Sequence, residues 1–237
     1  MKYTHLFETK ADFKAVYNSS AYTEPWVSYV VGDGSVAYNF PYDTNGYSYV
    51  DLGLPSGTKW ANMNVGAESP EGYGDYYAWG EIEPNKASAY TSQNYRFYPG
   101  NDNDEYSKYN DTDNKMTLDL ADDAANVVMG GDWHMPTSAQ CAELLDNTTS
   151  SWTVDYNGTG VAGIIFTSNN NGNSIFFPAA GAAFDGSAEG QGVVFGVWSS
   201  SRYSNSNRAW SLRGGSDGLG MGILYRYGGL SIRGVLG

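Results

Sequence analysis

The chain is poor in the residues from which catalytic and metal centres are most often assembled. Its one cysteine, Cys141, excludes an intramolecular disulfide and a cysteine-rich zinc site. Its two histidines, His5 and His134, leave few ways to build a Ser-His-Asp triad. His134, set between Trp133 and Met135, reads as structural. No apolar run is long enough to span a bilayer, so membrane insertion is not expected. The opening MKYTHLFETKADF lacks the apolar stretch of a signal peptide, and synthesis in the cytoplasm is expected. The net charge of −13 argues against nucleic acid as a partner, because phosphate binding wants a basic face. What is present points to a core built from short pieces. Hydrophobic content of 41% supports real burial, while thirty glycines and twenty tyrosines favour short strands and many turns over helix bundles. A length of 237 residues suits one large domain, or one domain with a small appendage.

A second absence is regional. The last forty-six residues, Gly192 to Gly237, contain no Lys, Glu or Gln, although the preceding 191 hold nineteen. Five of the six arginines lie there (Arg202, Arg208, Arg213, Arg226 and Arg233) against one acid, Asp217. The tail therefore carries +4, which leaves −17 for the rest of the −13 chain. Folding gives no reason to exclude these three residue types while keeping Arg and Tyr; mutation does. Randomising the two adenines of an Asn codon yields Asn, Ser, Gly, Tyr, Arg, Ile, Leu or Asp, and never Lys, Glu, Gln, Met or Trp. The tail uses mostly this permitted set. Its exceptions, Trp198, Trp210 and Met221, fall where a core would want them.

Three zones follow one another along the chain. Residues 1–45 read as a small module: Thr9 caps a short helix through Val16 and Tyr17, then WVSYVV and SVAYNF flank Gly32-Asp33-Gly34 as a hairpin. In YVDLGLPSGTKWANMNVG, Gly53, Pro55 and Gly57 punctuate two short strands. From Asn94 to Asp123 the polar composition, centred on NDNDEYSKYNDTDN, predicts a long surface loop. Thr137 and Gln140 form a capping box before SAQCAELLDN, and Ala139, Cys141, Ala142 and Leu145 are expected to make its buried stripe. Cys141 then packs as a small hydrophobe rather than acting as a nucleophile. VAGIIFTS and NSIFFPAAG flank Asn169 to Asn173 as a further hairpin.

Several ordered motifs carry a resemblance over roughly Tyr47 to Val235. VDLGLPSGTKWANMNVGAESPEGYGDYYAWGE, GGDWHMPTSAQCAELL, NGNSIFFPAAG, VWSSS and YGGLSIRGV resemble a C-type-lectin-like domain of the formylglycine-generating-enzyme type, as found in gut anaerobes and their phages. With its variable-looking tail, the chain resembles the variable protein of a diversity-generating retroelement. In that system a mutagenic reverse transcriptase randomises adenine-templated codons. YTEPWVSYV is similar to segments of phage structural proteins that carry such domains. The resemblance implies an α+β, C-type-lectin-like fold over 46–237, with short strands, few helices and long loops, a variable region of about 199–229, and the 1–45 module as a virion attachment. It further implies a receptor-binding protein on a phage tail or surface, with a host-surface protein or glycan as ligand, virion proteins as neighbours and a homo-oligomer as its state. A non-varying carbohydrate- or protein-binding domain of a gut bacterium is the second reading.

The ligand surface is expected at Arg202, Tyr203, Asn205, Asn207, Arg208, Ser211, Arg213, Gly220, Gly222, Ile223, Leu224, Tyr225 and Tyr227. These give a paratope-like mixture of Tyr and Arg anchors among Ser, Gly and Asn. In RAWSLR, alternation places Trp210 and Leu212 on one side and Ser211 and Arg213 on the other. Trp198, Trp210, Leu212 and Met221 are expected inward, keeping the scaffold. No enzyme activity, cofactor or metal is expected. Formylglycine generation, as the resemblance carries it, needs a reactive cysteine arrangement near the domain's end, whereas Cys141 lies mid-chain. The acids Asp122-Asp123 and Glu81-Glu83 read as surface or helix-start residues, not an acid–base pair. Glu83-Pro84-Asn85 matches the tripeptide of mannose-type C-type lectins but lacks their companion Trp-Asn-Asp near the C-terminus. Asp102, Asp104, Asp111 and Asp113 offer hard oxygen ligands without EF-hand spacing, and a solvated acidic loop is expected.

Overall fold

Glycine and proline cut the chain into segments too short for long helices, and small antiparallel sheets result. The computed structural model describes residues 28–30, 36–38, 43, 45–84, 90–100, 106–185, 187–204 and 207–237. Contacts divide the chain into two units, Met1–Tyr49 and Val50–Gly237. In the first, β1 (Ser28–Val30) pairs antiparallel with β2 (Val36–Tyr38), as the flanking pattern predicts. Asp43 closes a turn by accepting from the backbone N–H groups of Asn45 and Tyr47 at 3.1 and 2.7 Å. The helix expected at Thr9 to Tyr17 lies outside the described residues.

The second unit is a set of small antiparallel sheets with two α-helices among its described residues. β3 (Tyr49–Asp51) and β4 (Lys59–Ala61) join the final strand β13 (Val235–Leu236) in one sheet, in the order β13-β4-β3. β5 (Thr148–Thr153), β6 (Gly163–Ser168) and β7 (Ser174–Pro178) form the second, with the predicted Asn169–Asn173 loop between β6 and β7. β8 (Ala182–Phe184) and β9 (Ser187–Glu189) make a small ribbon. β10 (Val194–Arg202), β11 (Arg208–Gly215) and β12 (Gly218–Tyr225) make the C-terminal sheet.

The helices are α1 (Ala124–Met129) and α2 (Ser138–Asp146). Asp123 caps α1 through a bond from Asn126 N–H and also accepts from the buried Met135 N–H at 2.7 Å. The capping box on α2 forms as expected between Thr137 and Gln140. Its buried stripe does not. Cys141 and Leu144 are inside, while Ala139 is exposed and Ala142 and Leu145 are half-buried. The i, i+3 pair faces the core, and the helix edge toward Glu143 is tied to the loop after β3, where Ser56 donates to the Glu143 carboxylate at 2.6 and 2.8 Å. Burial pushes the Cys141 thiol well above its usual range, as suits a packed hydrophobe.

Rings dominate the core. Phe166, Phe177 and Phe195 meet edge to face at 5.3–6.1 Å, and Trp60 meets Phe177 at 5.8 Å. Each fully buried ring contributes about 2–3 kcal/mol relative to exposure. The last stretch, Gly228 to Val235, is buried throughout and threads between other elements. Gly229 bridges to Ala183, Leu230 to Tyr77, Ser231 to Val197 and Val235 to His134. Glycine is required within it. A side chain at Gly229 would run into the Tyr90 ring at 2.8 Å, and one at Gly234 into Met129 at 2.7 Å.

The polar segment from Asn94 to Asp123 departs from the surface loop expected of it. It inserts Tyr95, Phe97, Tyr106 and Tyr109 into the interior, because aromatic residues spaced along a polar run can turn inward, and Asp122 and Asp123 at its end are buried as well.

Candidate ligand-binding surface

The C-terminal sheet orders the tail by its register. Arg213 on β11 stands opposite Gly196 on β10 and Gly220 on β12, and Ser211 stands opposite Trp198 and Gly222. Directly paired residues share a side of the sheet. Arg213, Gly220 and Gly222 therefore lie on one side with Leu224, which pairs with Ala209. A trough of about 550 Å³ opens over this side. Gly218, Gly220 and Gly222 give its floor, Arg213 and Asp217 its charged groups, and Phe184, Leu224 and Leu230 apolar wall. A Cβ placed at Gly218 or Gly220 would meet nothing within 4 Å, and neither backbone has the positive φ that only glycine accepts readily. At Gly222 a Cβ would meet the flexible Arg213 side chain, which lies across that part of the floor.

Arg208, Trp210 and Leu212 alternate to the opposite side, paired with Tyr225, Ile223 and Met221. The Arg208 guanidinium sits 4.3 Å above the Tyr225 ring. Tyr225 stacks on Tyr227 at 5.2 Å, and Tyr227 meets the trough-wall residue Phe184 edge-on at 6.5 Å. Burial, then the neighbouring Tyr225, holds the Tyr227 hydroxyl above its usual range. Tyr203 packs edge-on against Trp210 at 5.0 Å. Tyr225 is 38% exposed at the head of this aromatic line.

Two expected surface residues are instead interior. Arg202 is 5% exposed, and its guanidinium donates to Asp111 at 2.8 Å and to the Tyr109 carbonyl at 3.3 Å. A register shift between Trp198 and Arg202 turns its side chain toward the Tyr109 segment instead of out to solvent. Ser211 is fully buried, paired with Trp198 on one neighbouring strand and Gly222 on the other. Asn207 is half-buried, and its carbonyl accepts from the Arg226 N–H at 3.0 Å. Asn205 lies outside the described residues. The expected inward set also divides: Trp198 and Leu212 are fully buried on opposite sides of the sheet, while Trp210 and Met221 are half-buried.

Two more of the tail's arginines are structural. Arg226 is fully buried among five rings, 4.6 Å from Trp79, 4.8 Å from Tyr106 and within 6 Å of Tyr95, Phe97 and Tyr109. It donates to the Tyr95 hydroxyl and to the carbonyls of Tyr109 and Lys108 at 2.9–3.0 Å. Arg233 lies 4.3 Å over Phe177 and donates to Asn64, Ala61 and Phe176 at 2.9–3.0 Å. Burial pulls its guanidinium down to about 9, still charged at neutral pH. Of the five tail arginines, only Arg208 and Arg213 are outside the buried set.

Of the acids noted in the sequence, Asp111, Asp113, Asp122, Asp123 and Glu81 are structural partners, while Glu83 is exposed. Asp122 accepts from Lys108 and from the Tyr109 hydroxyl, and pairs with Arg96 at 2.9 Å. Burial opposes its charge, but these bonds outweigh burial and hold its carboxyl below the usual range. Asp113 accepts from the N–H groups of Tyr109 and Asn110, and Asp111 pairs with Arg202. Burial raises Glu81, whose carboxylate accepts from Arg96 N–H at 2.9 Å. Asp102, Asp104 and Asn85 lie outside the described residues.

No protein-family model, curated protein or solved structure matches the chain. Among the described residues, no three His, Cys, Asp or Glu side chains cluster as a metal site, and no helix is long and apolar enough to cross a membrane. Sequence reading missed Phe184, Asp217, Gly218 and Leu230 in the trough. Asp217 and Gly218 were within reach of it, because Asp217 lies in the turn between β11 and β12 and Gly218 opens β12. Phe184 and Leu230 come from segments that only the tertiary fold brings alongside.

Proposed function

We propose that the chain is a ligand-binding protein of C-type-lectin-like fold. Its C-terminal surface is diversified by a retroelement to recognise varied host-surface ligands, and its N-terminal module attaches it to a phage virion. The observation that carries this reading is the open floor of the trough. Gly218 and Gly220 sit on a paired strand, in ordinary strand backbone, with nothing standing where a side chain would go. Both are residues that a mutated Asn codon reaches. Substitution there changes what a ligand meets without displacing any packed atom, while Trp198, Leu212 and Arg226 hold the sheet from inside. Rigid placement keeps the ordering cost of binding low for each variant.

Deep sequencing of the gene's 3′ end across a natural population, with its flanking DNA, tests the reading. Substitutions concentrated at Asn-type codons at Gly218, Gly220, Arg213 and Tyr225, beside a near-copy carrying adenines there, are the expected result. Uniformly low variation without a second copy would leave a binding domain with a fixed surface.

A further inference from the structure

We infer that the trough binds the C-terminal end of an extended polypeptide, with Arg213 receiving the terminal carboxylate and the apolar wall receiving the last side chain. The inference takes the trough of the proposed function as the binding site and names its ligand. Charge comes first. Among the described residues Arg213 has no ion-pair partner, and it is the one cation lining a trough in a chain of net charge −13. A planar guanidinium suits a single carboxylate, which it can grip through two parallel bonds. A polyanion is disfavoured, because Asp217 lines the same trough and the molecule as a whole repels it.

Shape narrows the class. Glycine in a strand is one of the marks of a place where a ligand or another backbone approaches closely. Gly218 and Gly220 leave the floor bare, so an extended main chain can lie directly on β12. The Arg213 stem lies over Gly222, which anchors the guanidinium at one end of that track. Phe184, Leu224 and Leu230 offer the terminal residue an apolar seat. Asp217 can accept a ligand N–H. Carboxylate capture beside an apolar side-chain seat is a recurring way of reading peptide ends.

The probes are a fluorescent randomised peptide library with free C-terminal carboxylates and the same library amidated, titrated against the full chain. N-acetylneuraminic acid serves as a carboxylated sugar of unrelated class. The free-acid pool should bind about tenfold or more tightly than the amidated pool, with apolar terminal residues enriched. Arg213→Gln should erase that ratio. Gly220→Trp should block the free-acid pool while leaving thermal unfolding unchanged, because the space at Gly220 is empty. Equal binding of both pools, binding of neither, an unchanged ratio in Arg213→Gln, or Arg213-dependent binding of the sugar acid alone would each overturn the proposal. Those results would leave a diversified surface standing if the 3′ end varies in natural populations. A fixed 3′ end with carboxylate-selective binding would do the reverse.

Discussion

Arg226 and Arg213 come from the same compositional tail and have opposite surroundings. Arg226 is sealed among five rings and bonded to carbonyls and a tyrosine hydroxyl. Arg213 is exposed over a glycine floor. Composition treats the two alike, as members of a cationic segment. Their environments show that the segment is two interleaved sets, one buried in the fold and one outside the buried core. The first set includes Arg202, Ser211, Arg226 and Arg233, and the second Arg208, Arg213, Gly218, Gly220 and Tyr225.

The contrast is easiest to break at the buried end. Arg226→Ala leaves a cavity inside the ring cage and strips partners from buried carbonyls. Urea unfolding should show a loss of about 4 kcal/mol. Arg226→Lys should recover only part of this, because an ammonium cannot reproduce the flat fork. A smaller effect is expected at Asp123, which caps α1 and binds the buried Met135 N–H. Asp123→Ala should cost about 2 kcal/mol in the same assay.

A pH-dependent effect should come next. Hydrogen bonds from Lys108 and Lys115 hold the half-buried Asp119 carboxyl down at about 2. Its folded-state pKa lies below the unfolded one, so its contribution is complete above about pH 4 and fades as pH falls through about 2. The melting-temperature gap between the wild type and Asp119→Asn should therefore close over that interval. At the exposed end, Gly220→Ser should change stability by less than about 0.5 kcal/mol, with either sign. A larger loss would mean that the floor is not free.

Local pattern carried the parts of this fold that local chemistry decides. The Thr137–Gln140 capping box and the hairpin loop at Asn169–Asn173 both form as read, because caps and turns depend on neighbours in the chain. The alternation of RAWSLR also holds in register. The stripe of α2 does not fall on Ala139 and Leu145, because five apolar residues spread around a nine-residue helix do not fix its rotation; packing selects Leu144. Arginine burial was illegible for a deeper reason. Whether a guanidinium is a surface anchor or a core strut depends on rings such as Trp79 and Tyr106, more than a hundred residues away. Phe184 and Leu230 stayed hidden for a related reason, since they reach the trough from outside the sheet.

The division of the tail into two sets is tested most directly by saturation mutagenesis of residues 199–229, with every variant scored for folding by protease resistance. Gly218, Gly220, Arg213, Arg208 and Tyr225 should accept nearly every substitution, whereas Arg202, Ser211 and Arg226 should accept almost none. Tolerance spread evenly across both sets, or intolerance at Gly218 and Gly220, would contradict the account.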